Sequence, residues 1–307
     1  MQDIRIYTHK LKNLIIEKLH NPFDSNIFHK LLLIALFGWV GLGSDAMSSA
    51  SYGSEEAYLA LEGHIYLAIF VAMGIILTIF VISTSYSQIV ELFPTGGGGY
   101  LVATKLLSPY LGVLSGCALL IDYALTIAIS IASGVDTILS FLPISWQIFK
   151  LWFAFFVIIL IILLNLRGIK ESVLSLVPIF ALFVITHAIV IIYAFSIHLK
   201  DVSTVVNSTI TDVHNVISGM GFAALLFIIL HSYSMGAGTY TRIEAVSNAV
   251  PVLREPRVKT AKRIMHLMAI SLAFMAAGLL FAYIFYNVVH EPGKTLNAVL
   301  FENVAKS

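Results

Sequence analysis

The chain has 307 residues, 59% of them hydrophobic and only 11% charged, with a formal net charge of +1. Soluble domains carry roughly 25% charged residues, so a water-exposed globular surface is excluded, and the near-zero net charge gives no reason to expect a nucleic-acid partner. One cysteine, Cys117, excludes an internal disulfide.

Residues 1–30 are polar and basic and show no small-residue cleavage site after a short apolar core. The stretch "IYTHKLKNLIIEKLHNPF" reads either as an amphipathic helix on the inner membrane surface or as a solvated tail. After it, windows of about 20 apolar residues recur, each long enough to cross the ~30 Å hydrocarbon core. Seven spans are expected, at about 29–60, 64–92, 109–140, 147–166, 172–198, 217–249 and 262–290. With the N-terminus inside, thirteen Lys and Arg residues fall in inner segments and four in outer ones (Lys150, Lys200, Lys294 and Lys306). This asymmetry obeys the positive-inside rule and puts the C-terminus outside. The fold class is all-α integral membrane.

The first span carries "GLGSDAMSSASYGSEEAY" where apolar helix should continue, and a break is expected at Gly41–Asp45. Asp45 caps the half-helix that follows or serves as a ligand. Tyr52, two helical turns on, can face the same cavity. In the third span "IDYALTIAISIASG" sets Asp122, Thr126 and Ser130 at i, i+4 and i+8, a carboxylate and two hydroxyls in one row. An intramembrane acid is a functional-site candidate by default. The sixth span breaks around Gly236-Ala-Gly238, and Thr241 with Glu244 forms either a capping box or a hydroxyl and a third carboxylate at the cavity. Arg242 either neutralises a nearby acid or points to the inner side. His231 and His187 read as packing histidines. "FPTGGGGY" lacks the Lys-Ser/Thr of a nucleotide loop and reads as a flexible inner hairpin, while "REPRVKTAKR" reads as a topology signal.

Two broken helices with four unbroken spans between them are the sequence pointer to a transporter of inverted repeats, with its substrate at the breaks. Acids and hydroxyls converging there favour a small monovalent cation over an anion, and oxygen ligands suit potassium. Spacing does not choose between potassium and sodium.

"GLGSDAMSSASYGSEEA", "ELFPTGGGGYLVATKLLSP", "IDYALTIAIS" and "GTYTRIEAVSNAVP" resemble the amino acid–polyamine–organocation (APC) superfamily, most like the KimA-type branch of the KUP potassium transporters. The resemblance implies a LeuT-like inverted-repeat fold with discontinuous first and sixth helices. It also implies potassium uptake coupled to protons, no enzyme activity and no cofactor beyond the transported potassium ion and proton. The implied cation and proton pathway falls on Asp45, Tyr52, Asp122, Thr126, Ser130, Thr241 and Glu244. The expected organisation is a cytoplasmic basic segment (1–30), a first five-helix repeat (31–198), a partial second repeat (217–290) and an extracellular tail (291–307), so that the second repeat is incomplete. Expected partners are the lipid bilayer, a small cation and, if the resemblance extends so far, a second copy, although the dimerising C-terminal region that the resemblance implies is absent. An APC-type amino-acid permease and an inactive or regulatory fragment are the alternatives.

Overall fold

The computed structural model describes residues 35–166 and 169–307. The expected N-terminal basic segment and the first few residues of the first span lie outside the described residues. The described chain is helical and carries no strand. Its principal elements are α1 (Ala35–Leu59), α2 (Ala68–Leu92), the short α3 (Gly98–Val102), α4 (Pro109–Leu139), α5 (Lys150–Asn165), α6 (Ile169–Ile197), α7 (Val202–Met220), α8 (Phe222–Met235), the one-turn α9 (Ala245–Asn248), α10 (Arg257–Phe285) and α11 (Leu296–Lys306).

Six of the described helical segments are long and apolar enough to cross a membrane: Ile65–Leu92, Pro109–Leu139, Ile144–Asn165, Leu176–Ile197, Phe222–Thr239 and Arg257–Phe285. The protein is an integral membrane protein. Helix α1 does not reach that hydropathy because of its serines, glycines and acids, yet its 25 residues extend about 37 Å. It runs parallel to α10 over the same depth. Gly38 abuts Ile264, Gly43 abuts Met268, Ser54 Oγ donates to the Ala276 carbonyl at 3.2 Å and the Tyr58 ring meets that of Tyr283 at a tilt, with centroids 5.2 Å apart. Seven helical segments thus stand at membrane depth.

The expected interruption of the first span at Gly41–Asp45 does not occur, because α1 is helical from Ala35 to Leu59. The small residues that suggested unwinding are consumed by close packing. Gly38, Gly43, Ala46, Ser49, Ala50, Gly53, Ser54 and Ala57 are all buried, the usual composition of a tight helix interface in a bilayer, where small side chains let backbones approach. The sixth span does break. Helix α8 ends at Met235 and tightens into a 3₁₀ turn over Gly236–Thr239, and irregular backbone leads on to α9. Gly53 and Ala57 of α1 seat this break. A methyl on Gly53 would meet Thr239 at 3.0 Å, and one on Gly236 would meet the Ala57 methyl at 2.9 Å.

Helices α1 and α10 form the centre, with α2, α6 and α8 around them. Helix α10 is the most enclosed of the spanning segments, with 67% of its apolar window buried, whereas that of α5 has none. Helix α5 packs on α4 through Ala154, Val157 and Ile158 against Ile131, Val135 and Leu139. Its remaining apolar surface suits lipid. Ser108 caps α4, accepting from the Leu111 amide at 3.2 Å, with Pro109 at the first helical position.

Residues 291–307, expected as a tail, contain α11, which is docked. Leu296, Ala298, Val299 and Leu300 are buried, Asn297 Nδ2 donates to Ser51 Oγ at 2.9 Å, and Glu55 accepts the Leu296 amide at 3.0 Å. A carboxylate facing the free amides of a helix start is favourable for that helix.

Candidate functional site

The site forms where the middle of α1, the middle of α4 and the broken segment after α8 meet. Because α8 stops at Met235, the next residues leave helical geometry, and Arg242 takes a left-handed backbone conformation (φ 78°). Left-handed backbone is costly for a side chain with a Cβ. Here it turns the Arg242 side chain inward, where only 4% of it is exposed.

Arg242 joins two of the predicted acids. Its Nη1 donates to Asp122 Oδ2 at 2.6 Å. Its Nε lies 3.1 Å from Asp45 Oδ2, an ion pair by distance whose angle does not make a hydrogen bond. The second oxygen of Asp45 accepts from Ser130 Oγ at 3.3 Å. The Arg242 guanidinium carbon also stands 5.7 Å from the Tyr123 ring centroid, a cation–π contact. The two carboxylates keep 44% and 46% of their side-chain surface, so a buried cation is held between two half-exposed acids.

The row on α4 faces this cluster. Asp122 meets Arg242, Ser130 meets Asp45 and Thr126 between them is buried. Thr241 and Glu244 line, with Asp122, Tyr86, Gly99, Tyr100 and Asn248, a cavity of about 300 Å³. The capping-box alternative is not realised. Thr241 Oγ1 donates to the Gly238 carbonyl at 3.2 Å, and α9 has no side-chain cap. Tyr52 stands apart from the acids, its hydroxyl 2.8 Å from Ser49 Oγ and its ring against Gly238. The three acids do not form one cage. Among the described residues no three His, Cys, Asp or Glu side chains gather as a metal centre.

Of the two histidines expected to pack, His187 does so, buried with Nδ1 2.9 Å from the Phe183 carbonyl oxygen. His231 does not: it is exposed and stacks on Phe227.

The model of the amino acid permease family matches residues 33–307. The chain belongs to this family. Its likeness to the potassium transporter KimA of Bacillus subtilis (strain 168), 31% identity over 294 residues, places it in the KimA-like part of the APC superfamily. That alignment covers 94% of this chain and 47% of the relative, so the chain spans about half the relative's length.

In this chain the glycine loop is part of the site rather than a flexible hairpin. Gly96, Gly97 and Gly98 have φ of 88°, 95° and 42°, and a methyl on Gly98 would overlap Ser247 Oγ and Asn248 Oδ1. The loop thus lies directly on α9 and brings Gly99 and Tyr100 to the cavity wall. Asn248 is fixed in turn by Tyr123, whose hydroxyl accepts from Asn248 Nδ2 at 3.1 Å. Tyr86, Tyr100, Tyr123 and Asn248 carried no signal of their own in the sequence. The loop's signal was its run of four glycines, which marks positive φ and close backbone approach as well as flexibility.

Proposed function

We propose that the protein takes part in secondary active transport, taking up potassium with protons. The observation that carries this reading is the charge count at the break. Asp45 and Asp122 share one cation, Arg242, and Glu244 adds a third acid to the wall of the cavity that Asp122 also lines, so acids outnumber basic groups there. A cation with a partial water shell fits about 300 Å³ of space, since a liquid water occupies about 30 Å³. The name of the relative, a potassium transporter, supports the choice of ion. A substrate carboxylate would want free helix amides, and α1, unbroken, offers none at Asp45.

The charge asymmetry supports an orientation in the plasma membrane with the N-terminus in the cytoplasm. The cavity then opens toward the cytoplasm beside the glycine loop, and α11 lies outside. Asp45, Tyr52, Asp122, Thr126, Ser130, Thr241 and Glu244 are the pathway residues in this reading. Arg242 joins them as an internal counter-cation.

The test is growth of a potassium-uptake-deficient bacterium at low external potassium, with the chain expressed alone and with any coding sequence that follows it. Rescue that disappears in Asp122→Asn and Glu244→Gln is the expected result. Potassium-independent amino-acid uptake would replace this reading with that of an amino-acid permease. Rescue by the extended version only would define the 307 residues as part of the working unit.

A further inference from the structure

Helix α7 lies at the end of the bundle opposite the glycine loop, against the start of α2, and the transport reading makes no use of it. Its sequence "VSTVVNSTITDVHNVISGM" divides into three faces. Val205, Thr209 and Val216 are buried, and Thr209 Oγ1 donates to the Tyr66 carbonyl at 3.3 Å, fixing the helix in place. Val202, Val206, Ile210 and Ile217 are exposed on an adjacent stripe. A helix with an apolar stripe and a polar face suits the membrane surface.

The third face is polar and concave. Thr204, Asn207, Ser208, Thr211 and Asp212 follow one another at i, i+3, i+4, i+7 and i+8, and with Tyr66 they line a cavity of about 340 Å³. Asp212 Oδ1 is 3.8 Å from His64 Nδ1. Asp212 Oδ2 is buried and has no hydrogen-bond partner among the described residues. A buried carboxylate oxygen without a donor is costly, and it leaves Asp212 as a weakly compensated negative charge in the cavity wall.

The donor chemistry narrows the ligand. The lining offers hydroxyls, an amide, a phenol and one carboxylate, with no Lys, Arg or Cys. An anion finds no positive partner in that lining. Transition metals want imidazole or thiolate groups, and no such cluster exists among the described residues. Calcium is usually held by several carboxylates. One negative charge among neutral oxygens matches a monovalent alkali cation that keeps part of its water.

We propose that this pocket is a second cation site, separate from the central cluster, which holds a partly hydrated alkali cation on Asp212 and the hydroxyl face of α7. The site does not depend on the transport reading, because its occupancy is a property of binding alone.

The experiment follows thermal unfolding of the purified chain in neutral detergent while potassium or sodium chloride replaces choline chloride at constant ionic strength. Asp122→Asn serves as the background, so that the central cluster contributes less to the signal. In that background a saturable rise in the melting temperature is expected with the alkali salts and not with choline. Adding Asp212→Asn raises the half-saturating concentration roughly tenfold, through loss of the only charge in the lining. Adding Thr204→Val with Thr211→Val, both at exposed positions, raises it severalfold. If Asp212→Asn gives no cooperative transition, the double threonine variant decides. The proposal is overturned if alkali salts act no differently from choline, or if the half-saturating concentration is unchanged by these substitutions.

Discussion

Arg242→Met removes the single positive charge between Asp45 and Asp122 while leaving a shorter, apolar side chain. A buried ion pair that loses one partner costs about 3–5 kcal/mol when the remaining charge is sealed from water. Here both carboxylates keep nearly half of their side-chain surface, 44% and 46%, so each recovers much of its hydration. We expect a loss of about 2–4 kcal/mol, including the repulsion between the two freed acids. Arg242→Lys keeps the charge but not the fork that reaches two carboxylates from one residue, and loses about 1–2 kcal/mol. The backbone conformation of Arg242, φ 78°, is the same burden in both variants, so their difference isolates the charge. The assay is thermal unfolding in detergent, with potassium titrated against choline at fixed ionic strength. Potassium should stabilise Arg242→Met more than the parent, since the vacated space between two carboxylates now accepts a cation. The reasoning is refuted if Arg242→Met unfolds within about 0.5 kcal/mol of the parent, a typical surface effect. Equal potassium stabilisation of the two proteins would refute it as well.

Gly98→Ala should cost about 1–3 kcal/mol, because its methyl overlaps Ser247 and Asn248 and its φ is 42°. Faster proteolysis of the glycine loop reports it, and Gly134→Ala, with open space around its Cβ position, is the silent control. Tyr283→Phe removes the hydroxyl that donates to Asn297 Oδ1 at 2.8 Å and should cost about 1–2 kcal/mol. Hydrogen exchange in α11 should rise as the helix loosens. The Lys294–Glu302 pair, 2.8 Å apart, also ties α11 down. The lysine holds the Glu302 carboxyl below its ordinary range, and its hydrogen bonds to Glu302 and Glu291 hold the Lys294 ammonium above its own. The glutamate contribution is therefore complete at neutral pH and is lost as pH falls through its depressed folded value. The lysine contribution is lost only on strong alkalinisation. The protection of α11 amides, after correction for the intrinsic pH dependence of exchange, should fall on acidification in the parent and change less in Glu302→Gln.

Hydropathy made the spanning helices legible, since a bilayer forces apolar windows of a fixed length whatever packs beside them. The row Asp122, Thr126, Ser130 was legible for a similar reason, as helix geometry alone puts i, i+4 and i+8 on one face. The break after α8 was marked by Gly236 and Gly238. The course of α1 was not legible, because a run of Gly, Ser and Ala permits unwinding and permits close packing equally. The choice is made by α10, more than 200 residues later, which presents Ile264, Met268 and Ala276 to that run. The pairing of Arg242 with Asp122 spans 120 residues of sequence, and local spacing carries no trace of it. The glycine loop was misread because its partner surface, Ser247 and Asn248, is equally distant in the chain.

The unbroken α1 changes what the acids are for. In an unwound segment, free carbonyls would share the work of binding a cation, and Asp45 would be one ligand among several. In a continuous helix those carbonyls are committed to the helix itself, so Asp45 depends on side chains alone: Arg242 on one oxygen and Ser130 on the other. In the transport reading proposed above, a cation or a proton arriving from the cavity would compete with Arg242 for the same two carboxylates. Arg242 sits on irregular backbone while Asp45 and Asp122 sit on rigid helices, so displacement moves the arginine and not the acids. The broken segment is the adjustable half of the site, and α1 with α4 is the fixed half. This division is a physical reason for one helix to break where its counterpart stays whole.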